Sequence, residues 1–308
     1  MRVAVTSKSF SKNKILIDEL KQHFDDIKLN HSTKKLNDNE LIEFLKDCDG
    51  AIVALEEINK KVIDALPNLK AISKFGVGLD NIDLDYCKEK NILVAYEKGV
   101  NKQSVAEATL GFMLMLIRNL YISSNKLSNN IWDKNGGKSL YKKTIGIIGV
   151  GHIGKELIKL LQPFNCKILV NDIIKQDNYY AKNNLIEVSK EEIFKNSDII
   201  SLHTPLTKDT KYMINKNSLN QMKSTTFLIN TARGHLVNLD DLYNALKNNA
   251  IAGAALDVYY EEPPKNTELL KLENLITTPH IGGNSNEAVM AMGRSSIKHL
   301  KELLNGTK

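Results

Sequence analysis

Apolar and polar positions along this chain follow two alternating rhythms. Residues 3–5, 50–55, 70–74 and 92–96 are short, largely apolar runs bounded by turn residues, as expected of strands buried on both faces. Between them, residues 13–24, 41–45, 61–66 and 85–90 read as helices. The first carries Ile15, Leu16, Leu20 and Phe24 near helical spacing, and Pro67 stops the third. The alternation of strand and helix predicts a compact α/β domain with parallel strands joined by helical crossovers.

The pattern of residues 104–127 predicts one long helix. Ser104 and Glu107 stand at the spacing of a capping box at its start, and the helix leads from a first domain into a second. Residues 128–143 are polar around the chain's single tryptophan, Trp132, and read as a surface loop or as an arm that reaches a partner subunit. The alternation then resumes. Strands are expected at 144–148, 167–171, 186–188, 198–203, 227–230, 252–257 and 275–277. Helical segments are expected at 153–161, 191–194, 218–222 and 239–248, the last capped by Asn238 or Asp240. This is the rhythm of a doubly wound parallel sheet, which binds ligands beyond the carboxyl ends of its strands.

A length of 308 residues suits about two domains. The net charge of +6 comes from lysines spread along the chain rather than gathered in a stripe, so a nucleic-acid partner is not expected. Cys48, Cys87 and Cys166 are far apart, and no metal-ligand spacing occurs, so a reduced, cytosolic and metal-free protein is expected. The first ten residues read as a strand and turn rather than a signal peptide. The longest apolar run, near residues 110–117, is too short to span a bilayer, so no membrane partner is expected either.

Candidate chemistry sits where the strands end. Residues 145–148 run into Gly149-Val150-Gly151-His152-Ile153-Gly154, and the helix beyond carries Ile153, Leu157, Leu160 and Leu161 on one face. The three glycines of such a loop make the tight turn, admit a pyrophosphate to the backbone and let helix and strand pack closely. Free amides and the positive end of the helix dipole then face the phosphates. Asp172 stands eighteen positions beyond Gly154, at the end of the next strand. A carboxylate there accepts from ribose hydroxyls and repels a 2′-phosphate, which points to NAD rather than NADP.

Three further strand ends carry reactive groups. Residues 227–230 are followed by Thr231-Ala232-Arg233-Gly234, where a guanidinium fork suits a carboxylate. Residues 252–256 are followed by Asp257, Glu261 and Glu262, and residues 275–278 by Pro279-His280-Ile281-Gly282-Gly283. Together these suit hydride transfer to a 2-keto acid. An imidazolium donates the proton, a neighbouring carboxylate keeps it charged, and the guanidinium holds the substrate carboxylate and polarises the carbonyl.

The stretches SKFGVGLDNID (73–83), GVNKQSVAEATLGFML (99–114), TIGIIGVGHIGKEL (144–157), LHTPLTKDT (202–210), LINTARG (228–234), AALDVYYEEP (254–263) and TPHIGG (278–283) resemble the D-isomer-specific 2-hydroxyacid dehydrogenases, in their phosphoglycerate-dehydrogenase-like branch. The resemblance covers essentially the whole chain and implies two Rossmann-like or flavodoxin-like doubly wound parallel-sheet domains with a cleft between them. A discontinuous substrate domain is implied at residues 1–98 plus 286–308, with an NAD-binding domain at 99–285.

The resemblance also implies roles. Arg233 binds and polarises the substrate, His280 is the acid/base, and Glu262 pairs with it, with Glu261 as the competitor for that place. Gly149, Gly151, His152, Ile153, Gly154, Asp172, Thr204, Pro205, Thr210, Ala232 and Asp257 form the cofactor site. Asp257 is implied to hold the nicotinamide carboxamide, and Ser104 or Val105 to lie near the cofactor's other edge. Val77 and Gly78, with Asn101 as a polar contact, bind the substrate carboxylate. The implied assembly is a homodimer, which suits a Trp132 arm.

The resemblance leaves the substrate open among phosphoglycerate, glycerate or hydroxypyruvate, and glyoxylate types. Enzymes acting on 3-phosphoglycerate carry an Arg after the strand that here ends Val53-Ala54-Leu55-Glu56. Ala54 stands there, and Glu56 nearby repels phosphate, while Lys74 and Lys134 keep some basic character. The chain ends at Lys308, and no serine feedback through a C-terminal regulatory domain is expected. A non-catalytic, NADH-sensing co-repressor is the alternative reading. An L-specific lactate- or malate-type enzyme places its dinucleotide glycines near the N-terminus, unlike this chain.

Overall fold

The computed structural model describes residues 1–32, 35–265 and 267–306. The chain forms two compact units, one of Met1–Asn101 with the segment from Asn284 onward, the other of Lys102–Gly283.

The first unit is built on β1 (Arg2–Val5), β2 (Asp26–Leu29), β3 (Gly50–Val53), β4 (Ala71–Lys74) and β5 (Leu93–Ala95). They form one sheet in the order β2-β1-β3-β4-β5, and every neighbouring pair is parallel. Side chains alternate across the sheet, so two cores form. Ala4, Ala51, Val53 and Ile72 meet Leu41, Val62 and Cys87 on one face. Val3, Val5, Ile52 and Ala71 meet Leu16, Leu20, Met292 and Leu300 on the other. The last two belong to the helix Asn286–Asn305, which Ser285 caps by accepting from the Ala288 amide at 3.1 Å. An ion pair of 2.8 Å between Arg294 and Glu19 pins this helix to the helix Lys14–Lys21. The strand β2 is an element the apolar pattern does not announce. Its residues alternate between exposed and half-buried, as an edge strand does, so no unbroken apolar run marks it.

The second unit holds β6 (Thr144–Ile148), β7 (Lys167–Asn171), β8 (Ile186–Glu187), β9 (Ile199–Leu202), β10 (Phe227–Asn230), β11 (Gly253–Leu256) and β12 (Leu275–Thr277). Their order is β12-β11-β10-β9-β6-β7-β8, all parallel, with the direction of winding reversing between β6 and β9. Again both faces are covered. Ile148, Ile200, Leu228 and Leu256 look into one core, and Ile147, Ile199, Ile229 and Ala255 into the other.

Two expectations for residues 104–127 are corrected. The segment is two helices, Lys102–Ile117 and Leu120–Ser128, bent by 66°. The break falls at Asn119, which takes a left-handed φ of +54° that Asn tolerates better than most residues. Its side-chain amide donates to the Asn135 carbonyl at 2.8 Å, which holds the turn. The capping box does not form, because the helix starts before Ser104. The Ser104 hydroxyl donates to the Gly282 carbonyl at 2.7 Å, and Glu107 accepts from the Gln103 side chain. Among the described residues no single helix is long and apolar enough to cross a membrane.

Gly146, in the middle of β6, tests how closely the second sheet is covered. A Cβ there would stand 2.4 Å from Ile193 Cγ2 and 2.5 Å from Ser197 Oγ. Ile193 is β-branched and fully buried, so it has little freedom to yield. Gly146→Ala is expected to cost about 1–3 kcal/mol. Urea unfolding should show a lower midpoint at unchanged slope; an unchanged midpoint would show that the contact relaxes freely.

Candidate active site

The carboxyl ends of β6, β7, β9, β10, β11 and β12 lie along one edge of the second sheet, and six loops leave from there. After β6, the Gly149 amide donates to Asn171 O at 2.8 Å with φ +98°. A Cβ at Gly149 would lie 2.6 Å from the His203 carbonyl, and one at Gly154 would lie 2.2 Å from the Gly149 carbonyl. Both contacts are to backbone, which cannot move aside. Gly151 is different, for a Cβ there meets nothing within 4 Å. It opens the helix His152–Leu161, whose first amides have no side-chain cap. Such an end presents donors and the positive pole of the helix dipole.

At the end of β7, the Asp172 carboxylate accepts from the Val150 amide at 2.5 Å and the Ile174 amide at 2.8 Å. It thus ties the glycine loop to its own strand. Beyond it, Ile173 is 99% exposed and Ile174 largely so, an apolar pair the motif reading passed over. Its signal was only its place directly after the acid. After β9, Thr204 Oγ1 is buried with no hydrogen-bond partner among the described residues. Thr210 ties its own loop together. Its hydroxyl donates to Pro205 O at 2.8 Å and accepts from the Thr207 amide at 2.7 Å. His203 pairs with Ser201 Oγ at 2.8 Å, and burial pushes its pKa down to about 4, so it is neutral.

These features fit a dinucleotide. The uncapped helix start, the open face over Gly151 and the orphaned Thr204 hydroxyl offer donors where phosphates and a ribose would bring acceptors.

After β10, Asn230 shapes the turn that carries Arg233. Fully buried, it accepts from the Ala232 amide at 3.1 Å and donates to the Arg233 carbonyl at 2.8 Å. Sequence reasoning did not single it out. Ala232 is buried, and Arg233 donates to its carbonyl at 2.7 Å.

After β11 comes Asp257, 1% exposed. Its carboxylate accepts from Thr278 Oγ1 at 2.5 Å, the Ile281 amide at 2.8 Å and the Gly282 amide at 2.7 Å. Three of its acceptor positions therefore hold the loop beyond β12. That loop needs holding, since His280 takes a left-handed φ of +55°.

Within this frame His280 Nδ1 meets Glu262 Oε2 at 2.7 Å. Glu262 Oε1 also accepts from the Tyr259 amide at 3.2 Å, while Glu261 pairs with Lys265 at the surface. The hydrogen bond that His280 donates to Glu262 raises the His280 pKa above its ordinary value, against the opposing effect of burial. Burial pushes Glu262 up, but the bond and charge of His280, the Tyr259 amide and the charge of Arg233 outweigh it, and its pKa falls. Arg233 also opposes protonation of His280, so the three groups share one electrostatic neighbourhood.

Val77 and Gly78 belong to the first unit, beyond the carboxyl end of β4 and half-buried. Asn101 closes the first stretch of that unit, with Oδ1 buried and without a hydrogen-bond partner among the described residues.

Residues 110–282 match the D-isomer specific 2-hydroxyacid dehydrogenase, NAD binding domain. The chain belongs to the D-isomer specific 2-hydroxyacid dehydrogenase family. It lies in the phosphoglycerate-dehydrogenase-like branch of these NAD-binding oxidoreductases. It is 38% identical over 280 residues to D-3-phosphoglycerate dehydrogenase of Methanocaldococcus jannaschii, covering 88% of this chain and 52% of that relative. The chain thus spans about half the length of that protein. It is also 38% identical over 276 residues to glyoxylate reductase of Thermofilum pendens, covering 87% of this chain and 81% of the relative. Among solved structures it resembles D-lactate dehydrogenase from Aquifex aeolicus complexed with NAD and lactic acid. The TM-score is 0.88 at 29% identity, over 99% of this chain and 96% of that one.

Glu262→Gln should lower the pKa of His280, because the charge-assisted bond that raises it becomes a neutral one. Titration of the imidazole by nuclear magnetic resonance checks this. An unchanged titration would mean that the pair does not set the charge of His280.

Proposed function

We propose that this protein catalyses reversible, NAD-dependent hydride transfer between a small D-2-hydroxy acid and its 2-keto acid. The observation that carries the proposal is the 2.7 Å Glu262–His280 pair beside the charge of Arg233, at the edge of the sheet that bears the glycine loop. When bound, NADH supplies the hydride. Nδ1 of His280 is engaged by Glu262, so Nε2 is the atom that gives its proton to the carbonyl oxygen in reduction and takes it back in oxidation. Arg233 offers a fork to the substrate carboxylate and a positive charge to the oxygen that gains electrons. Gly149, Gly151, Gly154 and Thr204 suit the phosphates and sugars, Asp172 the adenosine ribose, and the exposed Ile173 an adenine face.

We further propose that the substrate carries no phosphate. In the first unit the winding reverses between β1 and β3, the place where open sheets bind ligands. There Glu56 is 4% exposed, its carboxylate held by the Thr6 hydroxyl at 2.5 Å. Lys74 is also buried, and its ammonium donates to the Ala54 carbonyl and to Asn81 Oδ1. A fixed carboxylate at this edge disfavours a second anionic group. A homodimer is part of the same proposal, supported by Trp132 at 79% exposure, with Leu120, Leu127 and Ile131 of the same stretch of chain also exposed.

The first test is NADH oxidation with glyoxylate, hydroxypyruvate, pyruvate and 3-phosphohydroxypyruvate. One of the unphosphorylated acids should exceed the phosphorylated one in kcat/KM by about tenfold or more. The reverse order would sink the substrate proposal alone, and silence on all four would sink the dehydrogenase reading. Arg233→Lys should lower kcat/KM by about a hundredfold, since a point charge does not reproduce the fork. A mild loss would make Arg233 structural. Asp172→Ala should weaken NADH binding and narrow the preference over NADPH, as read by fluorescence titration with each cofactor.

A further inference from the structure

The loops that carry Arg233 and Glu262 leave adjacent strands, and one side chain fastens them together. Tyr260 precedes Glu262 by two residues, and its ring stacks on His235 at 4.6 Å between centroids and 21° between planes. His235 follows Arg233 by two residues. The Tyr260 hydroxyl donates to Val237 O at 2.6 Å and accepts from the Leu239 amide at 2.8 Å. It therefore grips the short helical turn Gly234–Leu236 at both its first residues and its exit. Tyr212 backs the stack. Its ring lies 5.6 Å from that of Tyr260, and its amide donates to the His235 carbonyl at 2.8 Å.

The approach is close. A Cβ on Gly234 would fall 2.2 Å from the Tyr259 carbonyl carbon and oxygen, so the two backbones touch here with no side chain between them. The neighbouring Tyr259 works differently. Its hydroxyl donates to Leu256 O at 3.2 Å and Thr278 O at 3.1 Å, which ties the Glu262 loop to its own strand and to the His280 side. Glu261, by contrast, pairs with Lys265 in solvent and anchors nothing inward. Tyr259 thus ties the Glu262 loop to the loop beyond β12, and Tyr260 ties it to the turn that follows Arg233.

We propose that Tyr260, seated on His235, is a positioning residue that sets the spacing between the Arg233 guanidinium and the Glu262–His280 pair. The inference rests on the dehydrogenase reading, in which Arg233 holds the substrate while His280 protonates it. Loss of the clamp leaves each group able to bind its own partner but puts the held carbonyl out of line with the acid. Misplacement of about 1 Å in such a site costs on the order of a hundredfold in rate. The charged groups that act on His280 are Glu262, Asp257 and Arg233, so a shift in their spacing also changes how readily His280 holds its proton.

The test uses Tyr260→Leu and Tyr260→Phe in the full chain, with kcat and KM measured separately on the best keto acid. Histidine titration by nuclear magnetic resonance is run in parallel, with the His280 signal assigned by its loss in His280→Gln. Tyr260→Leu should lower kcat about tenfold or more, with KM and NADH affinity changed less than about threefold, and should move the His280 titration. Tyr260→Phe keeps the stack and loses the hydroxyl bridge, so its kcat should fall between those of the wild type and Tyr260→Leu. A folded Tyr260→Leu protein with unchanged kcat and an unchanged titration overturns the proposal, as would a lower melting temperature as the sole effect. If Tyr260→Leu does not fold, Tyr260→Phe decides, and an unchanged kcat there counts against the clamp. A wild-type protein inactive on every keto acid removes the dehydrogenase reading. The titration then still judges the clamp, because it needs no turnover.

Discussion

A buried carboxylate holds the reactive end of the second sheet in shape. Asp257 is nearly inaccessible to water and accepts three hydrogen bonds from the loop beyond β12. A buried charge without donors is costly, so these bonds are a condition of the fold as well as a feature of the site. They keep His280 in a left-handed conformation that a histidine does not favour by itself. That conformation in turn turns the imidazole to Glu262.

The other strand ends repeat this logic with different chemistry. Asn230 shapes the Arg233 turn by accepting from one backbone group and donating to another. Asp172 joins the glycine loop to β7 through the Val150 amide. Asp257, Asn230 and Asp172 each fix a loop by satisfying backbone groups that the end of a strand leaves without a partner. The parallel sheet makes this economical. With every strand pointing the same way, all such loops emerge on one side, and small displacements between neighbours suffice to compose a site.

The apolar rhythm made most strands legible because both faces of each sheet are covered. Residues 167–171 and 227–230 were readable as strands from composition alone, and both form at those bounds. Where that condition lapses, legibility lapses with it. The edge strand β2 has no apolar run. The long helical pattern at 104–127 hides a bend, since a left-handed residue at Asn119 leaves the surrounding pattern of apolar positions unchanged. The same holds for Ser104. Its spacing to Glu107 fits a cap, yet its hydroxyl turns to Gly282, a residue far along the chain.

What the sequence determined by itself was local and steric. The run from Gly149 to Gly154 encodes its own turn, because a Cβ at Gly154 would strike the Gly149 carbonyl a few residues back. The parallel α/β class follows equally from a repeated local rhythm. Only the tertiary structure decided partnership. It brought Glu262 to His280, as the resemblance implied, and sent Glu261 to Lys265. It engaged Asp257 with a loop more than twenty residues onward, and stacked Tyr260 on His235. Such pairings depend on distances between separate loops, and these are set by sheet order and packing, which the identity of neighbouring residues does not contain.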